Sequence, residues 1–486
     1  MRTSSSVLAI VLVSSLSSPA RAHVGNPDVV YEGAAGPYRL LVSVRPPDVI
    51  PGVAEVEVHS ADADVRTLEL VPMPLTGDGA KFAPTPDKAR PVEGAPQSFV
   101  ARLWMMSAGS WQVRIHANGD RGPGDLAVPV PALPSRGREM QRWLGLLLVA
   151  MLALLTLGVV SIVGASLREA QLPPEVEPDA PRRRRALIAM VVTGLVVVAI
   201  VWGGRVWWDA EATQYARYVY KPIQMSATVE PTGLVMTLRD PGWLKTRRLD
   251  DLVPDHDHLV HLFVVRVPAL DRLWHLHPTA MPGDRFVTPL PPELPAGRYQ
   301  LFADVVHATG LAETAVAELD LPAASTLPPG APLNADDAAG SAPPFATADA
   351  TRRESPLDGG GRVVWEHDAT PIVAGHVDWL RFRVEDADGK PTPDLELYMG
   401  MLGHAAVMRD DRSVFAHLHP TGSVPMASMT VVTGGDPHAG HHAAATGLPS
   451  TIGFPFSFPK RGPYRIFMQF KRRGRIETTA FDTIVK

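Results

Sequence analysis

His275-Leu276-His277-Pro278 and His417-Leu418-His419-Pro420 repeat one phrase, and each follows another histidine, His261 in the first case and His404 in the second. Residues i and i+2 of a strand share a face, so each His-x-His sets two imidazoles side by side if extended. The stretches from His261 and from His404 align with one gap. Turn-forming residues at Pro268-Ala269-Leu270-Asp271 and Arg409-Asp410-Asp411-Arg412 predict a hairpin in each. Folding the second about Asp410-Asp411 places His404 opposite His417, with His419 on the same face. Two three-histidine sites are therefore expected, His261, His275 and His277 in one and His404, His417 and His419 in the other. Neutral imidazoles grouped this way suit copper, with zinc as the second candidate. The competing reading is that these histidines serve the fold, since duplication preserves structural residues as readily as ligands.

The surroundings of the two copies differ. Asp255, His256, Asp257 and His258 precede His261, a set of imidazoles and carboxylates that suits Cu(II) or Zn(II); Met399 and Met401 precede His404, and thioether with imidazole suits Cu(I). Methionine is also ordinary filler in a sandwich core. His23 forms a further candidate, because cleavage after Ala22 would join a terminal amine to its own imidazole as a chelate for Cu(II). His438, His441 and His442 lie in a Gly- and Ala-rich loop. His307, His367 and His376 have no counterpart in a repeat and are read as structural.

These sites must be carried by elements outside a membrane. Arg2, an apolar core from Val7 to Leu16 and Ala20-Arg21-Ala22 read as a signal peptide over residues 1–22. Residues 143–165 and 186–204 are uncharged and long enough to span a bilayer, with a cytoplasmic loop at 166–185 that holds Arg182 to Arg185. The positive-inside rule then places both flanking regions on the periplasmic side of the inner membrane. The chain contains no cysteine, which excludes disulfides and thiolate ligands. A net charge of −5 without exposed basic runs leaves nucleic-acid binding unsupported.

Three exported modules are expected, at 23–134, 215–321 and 362–486, with a disordered linker at 322–361. Each carries a similar late phrase, Gly109-Ser110-Trp111, Gly297-Arg298-Tyr299 or Gly462-Pro463-Tyr464, and alternation at Tyr38 to Arg45 and Trp379 to Glu385 predicts strands. The fold class is therefore mainly β, three immunoglobulin-like β-sandwich modules with two transmembrane helices. The first module, with Gly36-Pro37-Tyr38-Arg39-Leu40, Pro51-Gly52 and Gly109-x-Trp111-Gln112-Val113, resembles the exported domain of the FixH/YtkA-like group. That resemblance implies a small membrane-tethered β-sandwich linked to copper handling and oxidase assembly. No nucleophile elbow, phosphate loop or His-Glu-x-x-His motif is present, so no catalytic residue is named. The functional expectation is a membrane-anchored copper-binding protein that delivers or senses the metal, exchanging it with donor or acceptor proteins or a membrane complex. The alternative is an interaction scaffold.

Overall fold

The computed structural model describes residues 28–137, 140–173, 175–291, 294–322, 330–358, 360–368, 370–435 and 447–486. The expected signal peptide, His23 and the loop histidines His438, His441 and His442 lie outside the described residues.

The expected fold class holds: the chain is mainly β, with several sheets and two long apolar helices. In the first module the alternation of Tyr38–Arg45 buries Tyr38, Leu40, Val42 and Val44 against a second sheet carrying Val113, Ile115 and Val128. The shared late phrase has one structural meaning in all three modules. Trp111 Nε1 donates to Ser107 O at 2.9 Å, Tyr299 Oη to Pro295 O at 2.7 Å and Tyr464 Oη to Lys460 O at 2.7 Å. Each aromatic thus pins the chain four residues upstream, as an aromatic corner does in immunoglobulin-like sandwiches. The glycines two residues earlier all take positive φ, at 122°, 144° and 127°, which explains why the phrase needs glycine there.

Two helices are long and apolar enough to cross a membrane, α1 at Arg142–Glu169 and α2 at Ala180–Ala216. The second exceeds the expected 186–204 at both ends. Asp179 caps its start, accepting from Arg182 N at 3.0 Å, and the helix-forming Trp207-Trp208-Asp209-Ala210-Glu211-Ala212 stretch continues it past the apolar segment. Tyr220, just beyond α2, returns its backbone N–H to Pro134 O at 2.8 Å, so the chain enters the second module beside the exit of the first.

The segment expected to be a disordered linker is ordered over 330–358. Ala338–Ser341 adds antiparallel to Arg272–Leu276, with His275 paired to Ala338. This covers what would be an open strand edge next to the histidines. Only a small residue fits there, because a Cβ on Gly340 would stand 2.4 Å from Thr478 Cγ2 of the third module. The tether is therefore clasped between two modules rather than free. A short helix absent from the sequence reading, α3 at Met426–Thr433, follows the second hairpin. It lays Met429 into the core of the first module.

The second and third modules meet face to face through an apolar seam of Phe263, Val265, Leu273 and Phe302 from one and Ala406, Met408, Phe415 and Phe467 from the other. Phe302 stacks on Phe415 with ring centroids 4.2 Å apart and planes 4° from parallel. Equivalent positions of the two repeats make reciprocal contacts across this seam. Leu270 and Arg412 occupy the same turn position with φ of 50° and 64°. Arg465 Nη1 donates to Leu270 O at 2.7 Å, while Arg412 Nη1 reaches back 3.4 Å to Gln300 Oε1 at the position equivalent to Arg465.

Candidate metal centre

Both hairpins form, the second with a register two residues from the expected one. Phe263 pairs with His275 and Ala406 with His417. Continuing that ladder sets His261 opposite His277 and His404 opposite His419. The turn is wider than the sequence suggested, because Arg409 N donates to Val414 O and Ser413 N to Asp411 Oδ1. A slip of two residues keeps every side chain on its face, so all six histidines still point inward.

The larger departure concerns which histidines share a site. The sequence assigns one trio to each module; the modules instead face each other and the trios mix. His261 and His275 of the second module converge with His417 of the third, and His404 and His419 of the third converge with His256 of the second. Within each trio the ligand nitrogens all lie within 4.8 Å of one another. His261 Nδ1 lies 3.1 Å from His275 Nε2, and His404 Nδ1 lies 3.1 Å from His417 Nε2. His277 stands beside the trios, stacked on His258 with centroids 3.9 Å apart.

The outer ring nitrogens are tied to oxygen. His261 Nε2 donates to Asp255 O at 3.0 Å, His404 Nε2 to Tyr398 O at 3.3 Å and His419 Nδ1 to Val424 O at 3.1 Å. A carbonyl only accepts, so each of these tautomers is fixed and the other nitrogen of each ring carries a lone pair. His275 Nδ1 donates to Gln469 Oε1 at 3.0 Å, an amide held in that orientation by its own donation to Thr478 Oγ1. His277 Nδ1 meets Asp337 Oδ1 at 3.0 Å, and His417 Nδ1 faces Asp304 Oδ2 at 3.5 Å. The 3.1 Å contact between His261 Nδ1 and His275 Nε2 therefore brings lone pair against lone pair. The Nε2 atoms of His277 and His419 are buried without a hydrogen-bond partner. Lone pairs that converge in a buried space, on the rings of His261, His275, His404 and His419 oriented by outer acceptors, form a donor set that could hold a metal ion.

The acceptors are exchanged between modules. Asp304 pairs in register with His261 of its own module yet faces His417 of the other; Gln469 pairs with His404 yet orients His275. None of Tyr398, Gln469, Asp304 or Asp337 was picked out from the sequence. The repeat alignment held a usable signal, since Asp304 and Gln469 occupy equivalent strand positions, each five residues after the matched Tyr299 and Tyr464. Met399 and Met401 sit in the tight Tyr398–Met401 turn; Tyr398, which opens that turn, meets the histidines, with its hydroxyl 3.4 Å from His275 Nδ1.

Burial first, and then the neighbouring imidazoles, hold His261, His275, His404 and His417 well below the usual histidine range. They are neutral at pH 7 and ready to donate lone pairs. Burial pushes the Asp304 carboxyl up to about 7, and burial also raises Asp255. Both line a cavity of roughly 600 Å³ where the three modules meet, together with His261, His417, His419 and Glu313. Asp255 Oδ1 also accepts from Ala427 N at 2.7 Å, which fixes α3 against the site. His307 lies outside it, between Asp251 at 2.9 Å and Glu313 at 3.1 Å.

Replacing Gln469 by leucine keeps the volume and removes the acceptor that fixes His275. Metal affinity is expected to fall about 10–100-fold with the fold retained. A competition titration beside a circular dichroism spectrum checks this; unchanged affinity would show that the Gln469 contact does not orient a ligand.

A family model described as a domain of unknown function, DUF8832, matches residues 357–486, the third module. No curated protein matches. Among solved structures, an engineered protein is 19% identical over 20% of this chain and 21% of its own, with a TM-score of 0.15, so the match spans about a fifth of that protein's length. A tetra-tandem repeat from the extending region of a large adhesion protein is 10% identical over 90% of this chain and 72% of its own, with a TM-score of 0.17. A putative membrane anchored protein from Corynebacterium diphtheriae is 10% identical over 94% and 96%, with a TM-score of 0.15. These likenesses carry no argument about function.

Proposed function

We propose that this chain is a membrane-anchored, extracytoplasmic copper-binding protein that delivers or senses the ion, with the metal held between its second and third modules. The observation that carries the reading is the orientation of the rings: outer nitrogens tied to Asp255, Tyr398, Val424 and Gln469, inner nitrogens turned toward one another. Copper is favoured over zinc because the inner donors are imidazoles and divalent copper stands highest in the affinity order for such nitrogen sites. Zinc is the second metal. When bound, copper supplies a Lewis-acidic, redox-active centre. The protein's own part is to hold the imidazoles of both trios in place, to keep them dry and to admit cations past Asp304 and Asp255.

The test is a titration of the full chain in detergent with Cu(I), Cu(II) and Zn(II). A variant with His438, His441 and His442 changed to Asn removes the loop background. In that variant, His261→Ala with His417→Ala is expected to weaken copper binding by at least about 100-fold, since each metal–histidine bond lost from a three-ligand site removes several kcal/mol. Thermal melts confirm that the variant folds. Undiminished binding, or none in the parent, would leave the interaction-scaffold reading in front.

A further inference from the structure

The two trios touch. His404 of one and His417 of the other present their inner nitrogens 3.1 Å apart, and these residues lie on neighbouring strands of a single hairpin. A first-row ion takes imidazole nitrogens at about 2.0 Å, so each trio, whose nitrogens lie within 4.8 Å of one another, needs only a small inward shift to close on one ion. The six nitrogens group as two threes rather than as one six. Ions seated in the two groups are then within about 7 Å of each other, two bond lengths plus the 3.1 Å contact.

From this geometry we infer that the interface holds a pair of copper ions as one two-ion centre, with each ion clamped by histidines from both modules. The inference rests on the metal-binding reading and deepens it. His261 and His275 reach the first ion from the second module and His417 from the third; His256 reaches the second ion from the second module and His404 and His419 from the third. Neither module alone supplies three ligands to either ion. Two like charges side by side in a buried space need counter-charge, and Asp255 and Asp304 line the cavity that His261, His417 and His419 share. Asp304 also faces His417 directly, so a carboxylate stands behind the ligand closest to the second ion.

The experiment is electron paramagnetic resonance on the full chain in detergent, free of the three loop histidines and loaded with two equivalents of Cu(II). The expected spectrum is coupled, with a half-field transition or an integrated intensity well below two spins. His256→Asn removes a ligand from one trio only, and asparagine tolerates the φ of 49° found there. That variant is expected to bind one equivalent with an isolated, full-intensity signal. Two equivalents giving two uncoupled signals in the parent would overturn the inference while leaving copper binding intact, and so would saturation at a single equivalent. Absence of binding would defeat both. Because the parent spectrum decides the matter alone, the test survives a variant that fails to fold.

Discussion

Arg465→Met is expected to destabilise the chain by about 3–5 kcal/mol, the cost of stripping one partner from a buried ion pair. The guanidinium is fully buried and bidentate to Asp482, at 2.7 and 2.8 Å. Its remaining nitrogen donates to two carbonyls outside its own sheet, Leu270 O at 2.7 Å and Pro343 O at 2.8 Å. Methionine fills the volume but leaves the Asp482 charge and both carbonyls without donors. Leu270 heads the turn between His261–Val267 and Arg272–Leu276, and Pro343 follows the strand that covers the edge beside His275. The lesion therefore loosens the interface that brings the trios together. Denaturant melts of the metal-free protein measure the loss. Arg465→Met with Asp482→Leu separates the contributions: removing both charges is expected to recover most of the stability, but not the two carbonyl contacts. If Arg465→Met alone changes stability by less than 1 kcal/mol, the staple is not what holds the modules in register.

The strands were legible because their physics is local. Alternation, turn residues and the Gly-x-aromatic phrase each act over a few residues, and Trp111, Tyr299 and Tyr464 each close a corner four residues upstream. The histidines were legible as candidates for the same reason, since His-x-His fixes a shared face wherever its strand lies. Partnership was not legible. That His417 sides with His261 and His275 follows from a seam formed by Phe263, Phe302, Phe415 and Phe467, and those residues read in sequence as the ordinary interior of separate sandwiches. Composition misleads at the linker: its Ala- and Gly-rich run is poor at building a core, yet a small residue is what fits where Gly340 pairs with Leu273 and meets Thr478. Gln469 illustrates the remaining limit. A glutamine on a strand carries no sign of its task until the chain folds a histidine from another module against its amide.

Acid is expected to unfold the metal-free protein far more readily than the copper-loaded one. Six histidines, His261, His275, His277, His404, His417 and His419, have pKa values lowered in the fold, burial being the first cause in each. The unfolded chain takes up protons on them near the ordinary value of about 6.5. Below that pH the unfolded state binds more protons than the folded one, so stability falls as pH falls. Asp255 and Asp304 act the other way, because burial raises both and the folded state keeps protons there that the unfolded state releases. His307 acts with them, since burial lowers it but Glu313 and Asp251 together raise it above the usual value, and six lowered histidines still outnumber these three groups. Each proton of difference is worth up to about 1.4 kcal/mol per pH unit, so the net loss between pH 6.5 and 5.5 is on the order of a few kcal/mol. That is a large share of the roughly 5–15 kcal/mol that holds a typical domain together. A bound ion occupies the same lone pairs and adds stability through mass action, which moves the acid transition to lower pH. Melting temperatures of the metal-free and copper-loaded chain from pH 7.5 to 5 supply the measurement. A flat metal-free profile across pH 6.5 to 5.5 would show that these imidazoles are not held neutral by burial. Two profiles that fall together would show that no ion sits on their lone pairs.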